Sequence, residues 1–60
     1  MDVKKGDRFL WQESVHIEVT RVSTGNLWAD IKCWVAWTPE RTWSRRMELP
    51  FPETYVPWKE

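Results

Sequence analysis

In three successive segments of this 60-residue chain, apolar side chains keep to odd-numbered positions. Val15, Ile17 and Val19 alternate with His16, Glu18 and Thr20. Ala29, Ile31, Cys33, Val35 and Trp37 alternate with Trp28, Asp30, Lys32, Trp34 and Ala36. Trp43, Met47 and Leu49, with Arg45 among them, alternate with Ser44, Arg46 and Glu48. A period of two puts one set of side chains on each face of a strand. Strands are therefore expected at about 15–21, 28–37 and 42–49, joined as an antiparallel meander. There is no convincing helix, internal repeat, low-complexity tract or linker.

The shared parity constrains the register. Neighbouring antiparallel strands keep their apolar sets on one face only if odd residues pair with odd. For the first hairpin we expect Ser23–Leu27 as the loop, with Val19 opposite Ile31 and Glu18 opposite Lys32. A shift of two would set Glu18 against Asp30, which like-charge repulsion disfavours. For the second we expect the loop at Thr38-Pro39-Glu40-Arg41, since proline suits the second position of a type I turn. That register pairs Lys32 with Glu48, Trp34 with Arg46 and Trp37 with Trp43. One face then carries the rows Glu18–Lys32–Glu48 and His16–Trp34–Arg46. The other carries Val19–Ile31–Leu49 and Ile17–Cys33–Met47. A bulge would invalidate the rows beyond it.

Six tryptophans, two phenylalanines and one tyrosine are a heavy aromatic load for one small domain. Each ring buries roughly 150–250 Å², so most of them are needed for a core that has no disulfide to support it. Cys33 is the single cysteine. Among apolar neighbours it reads as a small buried hydrophobe, compatible with a reducing compartment. Nine basic and nine acidic residues cancel, which argues against a dedicated nucleic-acid binder. No apolar segment follows Lys4-Lys5-Gly6, and no apolar run approaches membrane-spanning length. A cytoplasmic protein with neither signal peptide nor transmembrane helix is expected. The chain's size is that of a small accessory protein of the kind phages and mobile elements encode.

The ends of the chain carry a resemblance. Lys4-Lys5-Gly6-Asp7 before Arg8-Phe9-Leu10-Trp11 resembles the diverging turn of Src-homology-3 domains. Thr24-Gly25-Asn26-Leu27-Trp28-Ala29-Asp30-Ile31 resembles their loop-then-tryptophan segment. Leu49-Pro50-Phe51-Pro52-Glu53-Thr54-Tyr55-Val56 resembles their closing Pro-x-x-Tyr-Val, a short helical turn before the last strand. The resemblance implies an all-β fold, a small five-stranded antiparallel barrel spanning residues 1–60. It also implies a secondary groove at Trp28, Pro52 and Tyr55, where that family holds proline-rich peptides. The Ala-Leu-Tyr-Asp-Tyr strand and acidic loop that form much of that groove are missing here.

Little in the chain suits catalysis. His16, the single histidine, falls on the opposite face from Cys33, which excludes a simple Cys–His pair. Ser14 lies near His16 without a third orienting group. Asp7, Glu18, Asp30 and Glu48 imply no concave acid–base site. One cysteine and one histidine cannot by themselves build a zinc site, and two glycines make no phosphate loop. We expect no enzyme and no cofactor. The expected activity is binding of a protein surface or extended peptide by Trp34, Arg46, His16 and Trp28, residue types that include the commonest interface hot spots. Homo-oligomerisation through the same patch is a variant. Single-stranded nucleic acid is the competing ligand: Trp37 and Trp43 would stack bases while Arg41, Arg45 and Arg46 meet phosphates. An aromatic cage for methylated lysine is a third possibility, and needs three converging rings.

Overall fold

β-Branched residues at Val15, Ile17, Val19 and Ile31 favour strands, and in the computed structural model, which describes residues 3–58, they lie at the centre of one sheet. Its strands are β1 (Arg8–Trp11), β2 (Val15–Val22), β3 (Trp28–Val35), β4 (Thr38–Glu48) and β5 (Tyr55–Pro57). All pairings are antiparallel, in the order β4-β3-β2-β1-β5. Among the described residues there is no helix. The barrel expectation is corrected in one respect: β4 and β5 do not pair, so the sheet is not closed. The two sheet ends touch through side chains instead, where the Tyr55 hydroxyl donates to Met47 Sδ at 3.1 Å. Burial pushes the Tyr55 pKa up, which keeps that proton in place.

The first hairpin follows the expected register from Val15–Val35 to Val19–Ile31, with Glu18 opposite Lys32. A bulge at Thr20 then moves Arg21 opposite Asp30 and Val22 opposite Ala29. The Thr20 hydroxyl donates to the Asp30 carbonyl at 3.1 Å. The loop is the expected one. Ser23 Oγ accepts from the Leu27 and Trp28 amides at 2.9 and 3.0 Å. Gly25 and Asn26 take left-handed conformations, with φ of 80° and 59°.

The second hairpin departs from expectation. The chain turns at Ala36-Trp37, and Thr38–Arg41 belong to β4 rather than to a loop. The register slides by four residues: Lys32 faces Ser44, Trp34 faces Thr42, Asp30 faces Arg46, and Cys33 faces Trp43. The expected pairs Lys32–Glu48, Trp34–Arg46 and Trp37–Trp43 are therefore replaced. So are the third members of both inner rows, since Ile31 faces Arg45 and Cys33 faces Trp43. Parity survives the slide from Trp28–Glu48 to Trp34–Thr42, so the side chains of that stretch keep their faces. A second irregularity between Trp34 and Val35 leaves Pro39, Glu40 and Arg41 as extra residues on β4.

The core is Val3 with Val15, Ile17 and Val19 of β2 and Ala29, Ile31 and Cys33 of β3. Phe9, Trp11, Met47, Phe51 and Tyr55 pack against it. At the N-terminal end the Gly6 amide donates to Val19 O at 2.8 Å and the Val19 amide to Asp7 O at 2.9 Å. Gly6, at φ 93°, makes that turn possible. The Tyr55 amide donates to Pro52 O at 2.9 Å, closing a single turn before β5.

Candidate functional site

The four side chains expected to form one patch separate into two clusters on the outer face. Trp34 lies opposite His16, and their rings stack 5.5 Å apart at 7°. Trp58 then meets His16 edge-on at 5.1 Å, with the Arg8 guanidinium 5.7 Å from the Trp58 ring. Trp28 and Arg46 form the other cluster, with the guanidinium 3.8 Å from the ring centroid. Arg46 Nε donates to Asp30 Oδ1 at 2.9 Å and Nη2 to Oδ2 at 3.4 Å. Arg21 approaches the same ring at 5.7 Å. Trp34 and Arg46 do not form a row: their ladder positions differ by four residues on β3, or about 13 Å.

Both clusters use their rings on their own chain. Arg46 covers Trp28 and Asp30 fixes Arg46, a cation–π contact locked by an ion pair. The hydrogen bond from Arg46 holds the Asp30 carboxyl below its ordinary range, and Asp30 raises Arg46. A carboxyl lowered in the folded state stabilises above its unfolded pKa. That contribution disappears as pH falls through the folded value. Trp34 is half-buried beneath His16. Sequence gave no signal for Arg21, because the bulge that aims it at Asp30 leaves no mark on the alternation.

Pro52 and Tyr55 do line one groove, of about 440 Å³, with Phe9, Phe51, Pro57 and Trp58. Phe51 contacts Phe9 edge-on at 5.1 Å and Tyr55 at 5.3 Å. Trp28 is not part of it: Trp28 lies on the outer face, whereas Tyr55 pairs with Trp11 beside the core. The three-residue groove implied by the resemblance is thus reduced to two of its members.

The exposed rings are elsewhere. Trp37 at the hairpin turn is 74% exposed and Trp43 on β4 is 42% exposed. Residues 39–46 are exposed without interruption, Arg41, Arg45 and Arg46 included. Trp43 and Arg45 lie opposite Cys33 and Ile31, on the core face of the sheet. That face continues past the core because β5 does not pair with β4. The other edge of β4 has no strand neighbour among the described residues.

Cys33 is 3% exposed on the core face and His16 lies on the outer face, so the two do not meet. Burial raises the Cys33 thiol's pKa, which disfavours a reactive thiolate. Ser14 Oγ donates to the Gln12 carbonyl at 3.3 Å. Among the described residues no cluster of three or more His, Cys, Asp or Glu could hold a metal ion. Comparison with known protein families, curated proteins and solved structures found no match.

Proposed function

We propose that this chain is a non-enzymatic interaction module that takes an extended segment of a partner protein along the open edge of β4. Strand addition draws affinity from backbone hydrogen bonds and specificity from alternate side chains. The observation that carries the proposal is the continuous exposure of residues 39–46, Trp43 among them, on an eleven-residue strand with one strand neighbour among the described residues. Trp43 and Trp37 supply contact area, and Arg41 and Arg45 supply charge. Trp34, His16, Trp28 and Arg46 become supports of the outer face.

The strand order and the turn ending at Tyr55 support reading the fold as a Src-homology-3-like barrel left open between β4 and β5. In that reading the groove at Pro52 and Tyr55 is a secondary surface. The buried thiol fits a reducing compartment such as the cytoplasm. Exposed indoles beside arginines also suit single-stranded nucleic acid, so the test must separate the two ligands.

Capture from a host lysate, with and without nuclease, does so. Trp43→Ala should lose the proteins that the wild type retains, in both nuclease conditions, while Trp34→Ala keeps them. A central hot-spot tryptophan is worth about 2 kcal/mol or more, roughly thirtyfold in affinity. Loss with Trp34→Ala alone would return the site to the outer face. Capture abolished by nuclease would make nucleic acid the ligand.

A further inference from the structure

The charges on β4 specify which strand its edge accepts. We infer that it selects an acidic extended peptide, with a carboxylate opposite Arg45, an apolar side chain opposite Trp43 and a further carboxylate reaching Arg41. This rests on the strand-addition reading above and names its partner's chemistry.

Although the whole chain is neutral, β4 is not evenly charged. Glu40 and Glu48 stand near its ends, and from Arg41 to Met47 its only charges are Arg41, Arg45 and Arg46. Arg46 is already occupied by Asp30 and Trp28. Arg41 and Arg45 are exposed and join no ion pair among the described residues. Trp43 and Arg45, two residues apart, share one face. A strand laid antiparallel beside them presents its own alternate residues on that face. Carboxylate, spacer, apolar residue is thus the pattern that complements this part of the edge.

A second copy fits poorly in the two registers centred on Trp43 and Ser44. Twofold pairing centred on Trp43 sets Arg41 against Arg45 twice, and pairing centred on Ser44 sets Glu40 against Glu48 twice. Like charges directly opposite destabilise a sheet. Nucleic acid also fits less well. A phosphodiester offers acceptors but no donors for the strand's free carbonyls, whereas a peptide offers both. Arg45 and Arg46 also point to opposite faces of the sheet, so a single phosphate track along one face meets only one of them.

The test uses the intact, isotope-labelled chain and blocked peptides in which threonines alternate with glutamate, valine and glutamate. Matched peptides carry glutamine or lysine in place of glutamate. The glutamate peptide should shift and protect the amides of residues 42–48 and bind about tenfold tighter than the glutamine peptide, the effect of two cross-strand charge pairs. The lysine peptide should not bind. Arg45→Glu, at an exposed position, should reverse the preference, and Arg45→Gln should reduce the difference between the peptides. Equal binding of glutamate and glutamine peptides on β4 would overturn the acidic selectivity while leaving strand addition standing. No response of β4 amides to any peptide would overturn both. An oligothymidylate that shifts these amides in place of the peptides, or doubling of the mass of the free chain, would assign the edge to nucleic acid or to a second copy.

Discussion

Ile31→Ala is expected to leave the chain largely unfolded at room temperature. Ile31 is 0% exposed, on the interior strand β3, between Val19 on β2 and Arg45 on β4. Truncating a buried isoleucine removes its transfer free energy and leaves a cavity, a loss of about 2–5 kcal/mol. A core in a domain this small supplies about 3–5 kcal/mol of net stability. The two ranges overlap, so one substitution removes most of the stability margin. Ile31→Val, which removes one methyl group, should cost about 0.5–1.5 kcal/mol and stay folded. Urea titration followed by tryptophan fluorescence checks both. A cooperative transition for Ile31→Ala close to that of the wild type would mean the core is not where these strands place it.

Asn26→Ala carries the next largest effect, from two separate causes. Asn26 Oδ1 accepts from the Val3 amide at 3.1 Å and Nδ2 donates to the Val3 carbonyl at 2.9 Å. This clamp holds Val3 in the core, where it is buried. Asn26 also sits at φ 59°, a conformation that costs alanine about 1–2 kcal/mol. Each hydrogen bond contributes about 0.5–1.5 kcal/mol net. The sum is a loss of about 2–5 kcal/mol. Asn26→Gly removes the clamp but tolerates the backbone, so it should lose about half as much. Thermal unfolding of the two variants separates the causes. If Asn26→Gly matched the wild type, the clamp would contribute nothing.

The first hairpin was legible in the sequence because two constraints agreed there. Alternation fixed the faces, and the choice between Glu18–Lys32 and Glu18–Asp30 fixed the register. The second hairpin lacked such a discriminator. Alternation specifies parity only, and both candidate registers satisfy it. Both also offer an opposite-charge pair: Lys32–Glu48 in the expected register, Asp30–Arg46 in the observed one. The proline at Pro39 pointed to a turn, yet the chain turns earlier and carries Pro39 on an edge strand, where a missing amide is tolerated.

That slide decided the candidate site as well. Under the expected register Arg46 would lie beside Trp34. In the structure it covers Trp28, and the exposed indoles become Trp37 and Trp43. Their residue types were readable as ligand contacts, but their exposure was not. Exposure on a sheet depends on what lies across the strand, and periodicity within a strand carries no such information. The bulge at Thr20, which sends Arg21 to Asp30, is likewise accompanied by a hydroxyl-to-backbone contact that no local pattern announces.

The most direct measurement is amide hydrogen exchange along β4 in dilute, unliganded protein. In an edge strand, alternate amides bond to the neighbour while the others face solvent. Residues 42–48 should therefore show alternating slow and fast exchange, the slow set matching the pairing with β3. Uniformly slow exchange along that stretch would mean the edge is already covered, and the binding site placed there would not exist.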